Sequence, residues 1–558
     1  MKTLYMKILF TVSIIAVLLG CEKPDYITPN DQTDILKVYA SVEDEPAKET
    51  FSSRIVGDTI FLDVDYYYPI NSDNEVDLSK LLLYAQIPQN AKITPALRGF
   101  TDLSSPIKVK ITGGGGSDKE YIIKANKRGN TDVLSAKLEF DDINGDVVES
   151  TAIIIGNDLN FSVVPGTIMR NPRVTYSLNR HAQGSFVNGS TVNLDQPLTF
   201  TVTSVGNAKK DYTMKVVEAK KLPRGIREGS AKVMFAKRMK GDLGITTENL
   251  ASGLALSGKY LVVNIAGQRS IYLDALTGQK VGDVDLSISG VLHNNNVTSD
   301  DAGNILVCNY SWGGGDVFKV YKKSSVSGAL EPFISAPLFN SFGEKISVAG
   351  DITKDAIITS PLVGIGESNW FARWQVKNGV VVSQDPEVVN LSPSYKWNWS
   401  NADVIHTSST DIAASYYVTG YSTNRLAKIN GSTNGLLEQN TALDLNFISN
   451  SVDYMEFNNA KFVTYNYVNS QPWGSADQVF LLNAESPLVG NPSTGSSLGL
   501  IWSPAAGLYG AAAAGGSYNS SGKGDVIMGV SENGYYMYLY FMFTNGYVVG
   551  VQFDCVDL

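Results

Sequence analysis

The chain has little cysteine, little histidine and no surplus of positive charge. Three Cys and three His occur in 558 residues. Cys21, Cys308 and Cys555 show no Cys-x-x-Cys or Cys/His spacing, so no metal site is expected. His181, His293 and His406 stand far apart, and no metalloprotease, nucleophile-elbow, P-loop or EF-hand motif occurs. No cofactor is expected either. Lys+Arg number 45 against 55 Asp+Glu, a formal charge of −10. An acidic chain without a basic stripe excludes the usual footprint for nucleic acid. Beyond the N-terminus no apolar run reaches the ~18 residues of a spanning helix. Tyr535–Phe543 is apolar but short, which reads as a buried strand. Long amphipathic helices are also missing. Gly (51) and Tyr (28) are plentiful, and that balance predicts an all-β protein.

At this length several domains are expected, because single cores stop growing near ~250–300 residues. Lys2 and Lys7 precede the apolar run Ile8–Leu19, the layout of a secretory leader. Leu18-Leu19-Gly20-Cys21 resembles a bacterial lipobox. The resemblance implies cleavage before Cys21, lipidation of Cys21 and an anchor in the outer membrane. The leader is thus 1–21. Residues 22–34, with Pro24, Asp25, Pro29 and Asp31, read as a tether.

Residues 35–126 and 130–217 read as two copies of one β-sandwich. Leu103–Thr112 aligns with Leu194–Thr203 at an offset of 91 residues. The offset continues without a gap, pairing Lys119 with Lys210 and Tyr121 with Tyr212. Ile107, Val109 and Ile111 share a face, as do Leu198, Phe200 and Val202, so period and turn repeat together. Residues 218–230 read as a linker.

From Ala231 a blade pattern recurs, clearest at Thr298–Tyr321: a polar turn, a β-rich run, a Gly-rich loop, an alternating run. Second strands are expected near Tyr260–Asn264, Ile305–Tyr310, Ala356–Ser360, Ala413–Val418, Phe462–Tyr467 and Tyr535–Phe543. That spacing fits a six-bladed β-propeller over 231–558, with Asn491–Gly524 as a long insertion. Ala231–Arg238 is expected to join the last blade beside Tyr547–Phe553 and remove two open edges. The fold expected is therefore all-β, two Ig-like sandwiches followed by a six-bladed propeller.

Strand direction sorts the loops onto two faces. The turns between first and second strands, and between third and fourth, are short and polar and hold no Trp. Thr544-Asn545-Gly546 is assigned to this group. The opposite loops hold Trp312, Trp370, Tyr395, Trp397, Trp399, Tyr421, Trp473 and Trp502, with His293 and Asn294. Aromatic rings stack on the apolar face of a sugar, and amides serve its hydroxyls. These ten residues are the candidate ligand-binding set. The alternative for each Trp is packing between blades, and for His293 a structural place. Among carboxylates, Glu367, Asp351 and Asp403 lie near these blades, but nothing marks a catalytic pair. Asp300, Asp301 and Asp274 read as turn formers.

Asp77–Leu81, Ala91–Pro95, Val164–Thr167 and Ser185–Thr191 resemble Ig-like modules of Bacteroides-type surface lipoproteins, and the whole resembles uncharacterised members that carry a C-terminal propeller. The resemblance implies a cell-surface lipoprotein, held by its lipid and associated with a glycan-uptake complex of the outer membrane. The function expected is glycan binding on the Trp-bearing face. The alternatives are a polysaccharide-active enzyme using the same face and a protein-binding adhesin.

Overall fold

The computed structural model describes residues 30–97, 99–143, 145–291, 293–363, 367–399, 401–441, 448–473 and 477–557. The leader with Cys21 lies outside them. The described chain is all-β, and its helical content is two short 3-10 turns, Leu78–Lys80 and Pro492–Thr494. It divides into two compact units. One holds the described residues up to Val163 together with Thr167–Val217; the other holds Val164–Gly166 and Glu218 onward.

In the first unit the sequence repeat is a repeat of register. Ile107–Thr112 pairs antiparallel with Asp118–Arg128, with Ile107 opposite Ile123. Leu198–Thr203 pairs with Lys209–Glu218, with Leu198 opposite Met214, so the offset survives in the ladder. The shared tyrosine explains part of this. Tyr121 Oη accepts from the Ile35 N–H, and Tyr212 Oη from the Val133 N–H, both at 3.3 Å. Each hydroxyl ties the entering strand to the closing hairpin, which satisfies a buried donor. Two separate core clusters result, one around Val109, Ile111 and Ile123, the other around Phe200, Val202 and Met214. The repeats meet where Asn179 Nδ2 donates to Asn71 Oδ1 at 3.0 Å and the His181 ring stacks on Tyr67 at 3.8 Å. Residues 30–34, read as tether, belong to the first repeat: Asp31 accepts from the N–H groups of Gly115 and Ser117.

Among its described residues the second unit has six antiparallel sheets of four or more strands. The first is Ala251–Ser257, Tyr260–Ile265, Ser270–Asp274 and Lys280–Val284; the second Asn296–Ser299, Ile305–Cys308, Val317–Lys323 and Glu331–Pro337. The third runs Ser347–Gly350, Ala356–Val363, Trp370–Lys377 and Glu387–Asn390, with two short strands added at its ends; the fourth Ala402–His406, Tyr416–Gly420, Ala427–Ile429 and Leu436–Gln439. The fifth is Val452–Phe457, Ala460–Tyr467, Gln478–Asn483 and Leu500–Trp502. The sixth takes Gly524–Val530, Tyr536–Phe543 and Tyr547–Asp554 and receives Lys232–Arg238 as its fourth strand. The pairing expected for 231–238 is therefore present, with Lys237 opposite Val548.

Second strands such as Tyr416–Gly420 are buried along their whole length. Both their faces are covered by neighbouring sheets, which is why they read as continuous β-rich runs. Core clusters form between consecutive sheets. Val262 packs with Val307, Phe318 with Trp374, Phe371 with Tyr416, Tyr417 with Val463, and Leu481 with Phe541. A further cluster joins Leu261 and Val263 of the first sheet to Tyr540 and Met542 of the sixth.

Three expectations change. Asn491–Gly524 is not one insertion, because Leu500–Trp502 is the fifth sheet's fourth strand. Thr544-Asn545-Gly546 joins second to third strand in the sixth sheet, so it lies with the Trp-bearing loops. Residues 218–230 are built into the second unit: Lys220–Lys221 pairs with Val556–Asp557, and Arg227 grips Asp554 through two nitrogens.

Candidate functional site

The loop Ser311–Asp316 follows the second sheet's second strand. Gly313, Gly314 and Gly315 all adopt positive φ (82°, 66° and 103°), where other residues are strained. This lets the loop lie against the next connection. The Gly314 N–H donates to the Phe339 carbonyl at 3.3 Å, Ser341 Oγ to the Trp312 carbonyl at 2.8 Å, and Ser311 bridges Phe342. A Cβ on Gly313 would sit 2.8 Å from the Asn340 backbone, so glycine is required there. Two zipped loops thus hold up Trp312, 77% exposed, and Phe339, 95% exposed. Tyr310 meets Trp312 edge-on with centroids 4.7 Å apart. Asp316 accepts from the Trp312 N–H at 3.2 Å. Phe339 escaped the sequence reading, since a lone Phe between the buried Leu338 and Phe342 carries no periodic signal.

The second group of rings behaves differently. Glu367–Ser368 pairs with Trp397–Asn398, tying the third sheet's loop to the connection into the fourth sheet. Trp397 is wholly buried and its Nε1 donates to the Leu362 carbonyl at 3.0 Å. Tyr395 is buried beside it, with its hydroxyl donating to the Arg425 carbonyl at 2.7 Å. Burial pushes that hydroxyl well above the usual tyrosine range. Both therefore pack between sheets instead of meeting solvent, because an indole or phenol with its polar atom satisfied gains most from burial. Trp370 and Trp399 remain on the surface at their margin, with Lys396 paired to Glu367 at 2.5 Å.

Of the others, Trp473 is exposed, and its carbonyl accepts from Asn469 Nδ2 at 3.2 Å. Tyr421 is half-buried and held by backbone bonds to Asn398 and Asn401. Trp502 is half-buried, 6.2 Å from Phe541 and 6.1 Å from Phe553, so it packs onto the sixth sheet. His293 is exposed, whereas Asn294 is buried. Its Nδ2 donates to Asn264 Oδ1 and to the carbonyls of Ile265 and Gln268, which fastens a turn and leaves it unavailable to a ligand. Asn294, Tyr395, Trp397 and Trp502 thus leave the candidate surface. Trp312, Trp370, Trp399 and Trp473 stay, and Phe339 joins.

Beneath these loops lies a polar interior. Side chains at the first strands link each sheet to its neighbour. Ser299 Oγ accepts from the Leu256 N–H, and Asn296 Oδ1 from that of Ile346. Ser347 Oγ donates to Asp403, which also accepts from the Val452 N–H. Ser451 Oγ donates to Asp525, and Asp525 accepts from the Leu254 N–H of the first sheet at 2.6 Å. Two ion pairs connect the run leading into the third sheet with the start of the sixth: Lys523 with Glu344 at 3.3 Å, and Lys345 with the buried Asp525. Burial raises Asp403 to about 6 and Asp453 to about 7.

The carboxylates considered for catalysis are each committed locally. Asp403 is bonded to Ser347 and two backbone N–H groups, Glu367 to Lys396, and Asp351 to Thr353 and Lys354. Asp300 accepts four hydrogen bonds, including that of the Ile352 N–H, as a turn former does. No group of three or more His, Cys, Asp or Glu placed to hold a metal occurs among the described residues.

The profile of a domain of unknown function, DUF8500, matches residues 233–554. That of another, DUF5018, matches residues 16–125. Among solved structures the chain is similar to a DUF4623 family protein from Bacteroides eggerthii DSM 20697, at 16% identity and a TM-score of 0.45, over 76% of this chain and 98% of that one. It is similar to Kuenenia stuttgartiensis hydrazine synthase at 14% identity and a TM-score of 0.29, over 53% of this chain and 74% of that one. No curated protein matches the chain.

Proposed function

The chain belongs to the family of the domain of unknown function DUF8500, and from that premise we propose that it is a cell-surface glycan-binding lipoprotein. In this reading the six sheets are the blades of a closed propeller. The cluster shared by the sixth and first sheets supports closure, as does the bond from Leu254 to Asp525. The two repeats of the first unit are Ig-like spacers. Cys21 carries the lipid, and the protein works beside an outer-membrane uptake complex.

The observation that carries the reading is the pair Trp312 and Phe339, both exposed on loops pinned to each other by backbone bonds. Large apolar rings held out in water on an ordered surface mark a binding site. Placed among Asn and Ser side chains, they suit a sugar better than an apolar ligand. Native electrophoresis through gels containing soluble polysaccharides tests this. Retardation by at least one polysaccharide is expected; mobility unchanged in a broad panel removes the reading. Labelling with a fatty-acid analogue that is lost in Cys21→Ala tests the anchor separately.

A further inference from the structure

The loops that carry Trp312, Phe339 and Trp473 are poor in cations. Residues 309–316 and 468–477 contain no Lys or Arg, and 338–346 contain only Lys345. Lys345 is buried against Asp525. Just past the loop, Lys319 donates its ammonium to Ser289 Oγ at 3.0 Å, and Lys523 and Lys396 are each held by a carboxylate, Glu344 and Glu367. Anions are present: Asp316 is exposed beside Trp312, with one oxygen taken by the Trp312 N–H. An acidic sugar laid on Trp312 would bring its carboxylate near Asp316, where the loop itself supplies no guanidinium or ammonium and Lys319 is engaged by Ser289. Like charges at such range oppose binding. A hydroxyl has no such penalty, and it can donate to the remaining Asp316 oxygen.

Resting on the glycan reading above, we infer that the platform of Tyr310, Trp312 and Phe339 takes an uncharged sugar chain, with Asp316 receiving a hydroxyl at its edge. Trp312, backed edge-on by Tyr310, stacks on the apolar C–H face, Phe339 on the adjoining loop adds apolar surface, and the zipped loops keep the rings in place before the ligand arrives. Preorganisation of this kind avoids an ordering cost on binding. Specificity against acidic chains follows from charge, so it weakens as salt rises.

The test uses the full chain in native gels and calorimetry with three probes: a neutral mannan or glucan, polygalacturonate, and chitosan. Binding to a neutral polymer, weakened about tenfold or more in Trp312→Ala and less in Phe339→Ala, supports the inference. Asp316→Lys then lets polygalacturonate bind at low salt. Thermal unfolding of each variant must match the parent, so that lost binding is not lost folding. Preference for polygalacturonate or chitosan overturns the inference while the glycan reading stands. Neutral binding that neither ring variant disturbs moves the site elsewhere and also overturns it. Binding to none of the three, or to any wider panel, removes both.

Discussion

Trp312 and Trp397 sit in loops that the sequence sorts to the same face, yet the protein uses them in opposite ways. Trp312 stands on three glycines with its ring in water. Trp397 is wholly buried, its Nε1 bound to the Leu362 carbonyl, among Phe371, Tyr395 and Tyr416. The difference teaches that residue type and loop position together still leave an indole's role open. What decides is what the ring packs against. Trp397 sits in the apolar cluster shared by the third and fourth sheets, whereas Trp312 meets Tyr310 edge-on and its ring stays uncovered.

The largest effect should come from Trp397→Ala. Removing a fully buried indole costs about 3–5 kcal/mol, read as a lower denaturant midpoint. If that variant unfolds like the parent, the contrast with Trp312 fails. Asp525→Ala should cost a similar or slightly smaller amount, about 3–5 kcal/mol, because it strands the buried Lys345. Adding Lys345→Met should restore about 1 kcal/mol or more, which separates a stranded charge from lost packing. At the small end, Trp312→Ala should change stability by less than about 0.5 kcal/mol. A larger loss would mean the ring is part of the scaffold.

Between these lies a pH effect. His406 is buried, with Arg373 Nη1 3.4 Å from its Nε2. Burial, then the Arg373 charge, lowers it from 6.5 to about 3. Between those values the unfolded chain binds a proton that the folded one refuses. Stability from this group is therefore full above pH 6.5 and is lost as pH falls towards 3. Asp403 and Asp453 act oppositely: raised from 3.8 to about 6 and about 7, they lose stability as pH rises through that range. His406→Gln should thus flatten the acid limb of the stability profile by about 1–3 kcal/mol between pH 6.5 and 4. An unchanged acid limb in urea titrations would show that His406 does not set it.

Much of the architecture was legible because it rests on local chemistry. The offset of 91 residues could be read since turn and alternation repeat together, and it returns as equal register in the two hairpins. Second strands were found within a few residues because they are covered on both sides. The fifth sheet's last strand was missed, as three residues, Leu500–Trp502, give no period. The turn at Thr544–Gly546 lies on the other side from the one expected, because a short polar turn carries no mark of its face and only the count of strands from Gly524–Val530 places it.

By itself the sequence determined the all-β composition, the repeat and the order of strands, for these follow from alternation, turn residues and the twofold period of a strand. It also determined which loops carry the rings. Only the tertiary structure decided which rings meet water, since burial depends on packing such as that of Trp397 between the third and fourth sheets, among residues no local pattern connects. The same holds for the buried Lys345–Asp525 pair. Its members lie 180 residues apart, and their meeting is a property of the packed sheets alone.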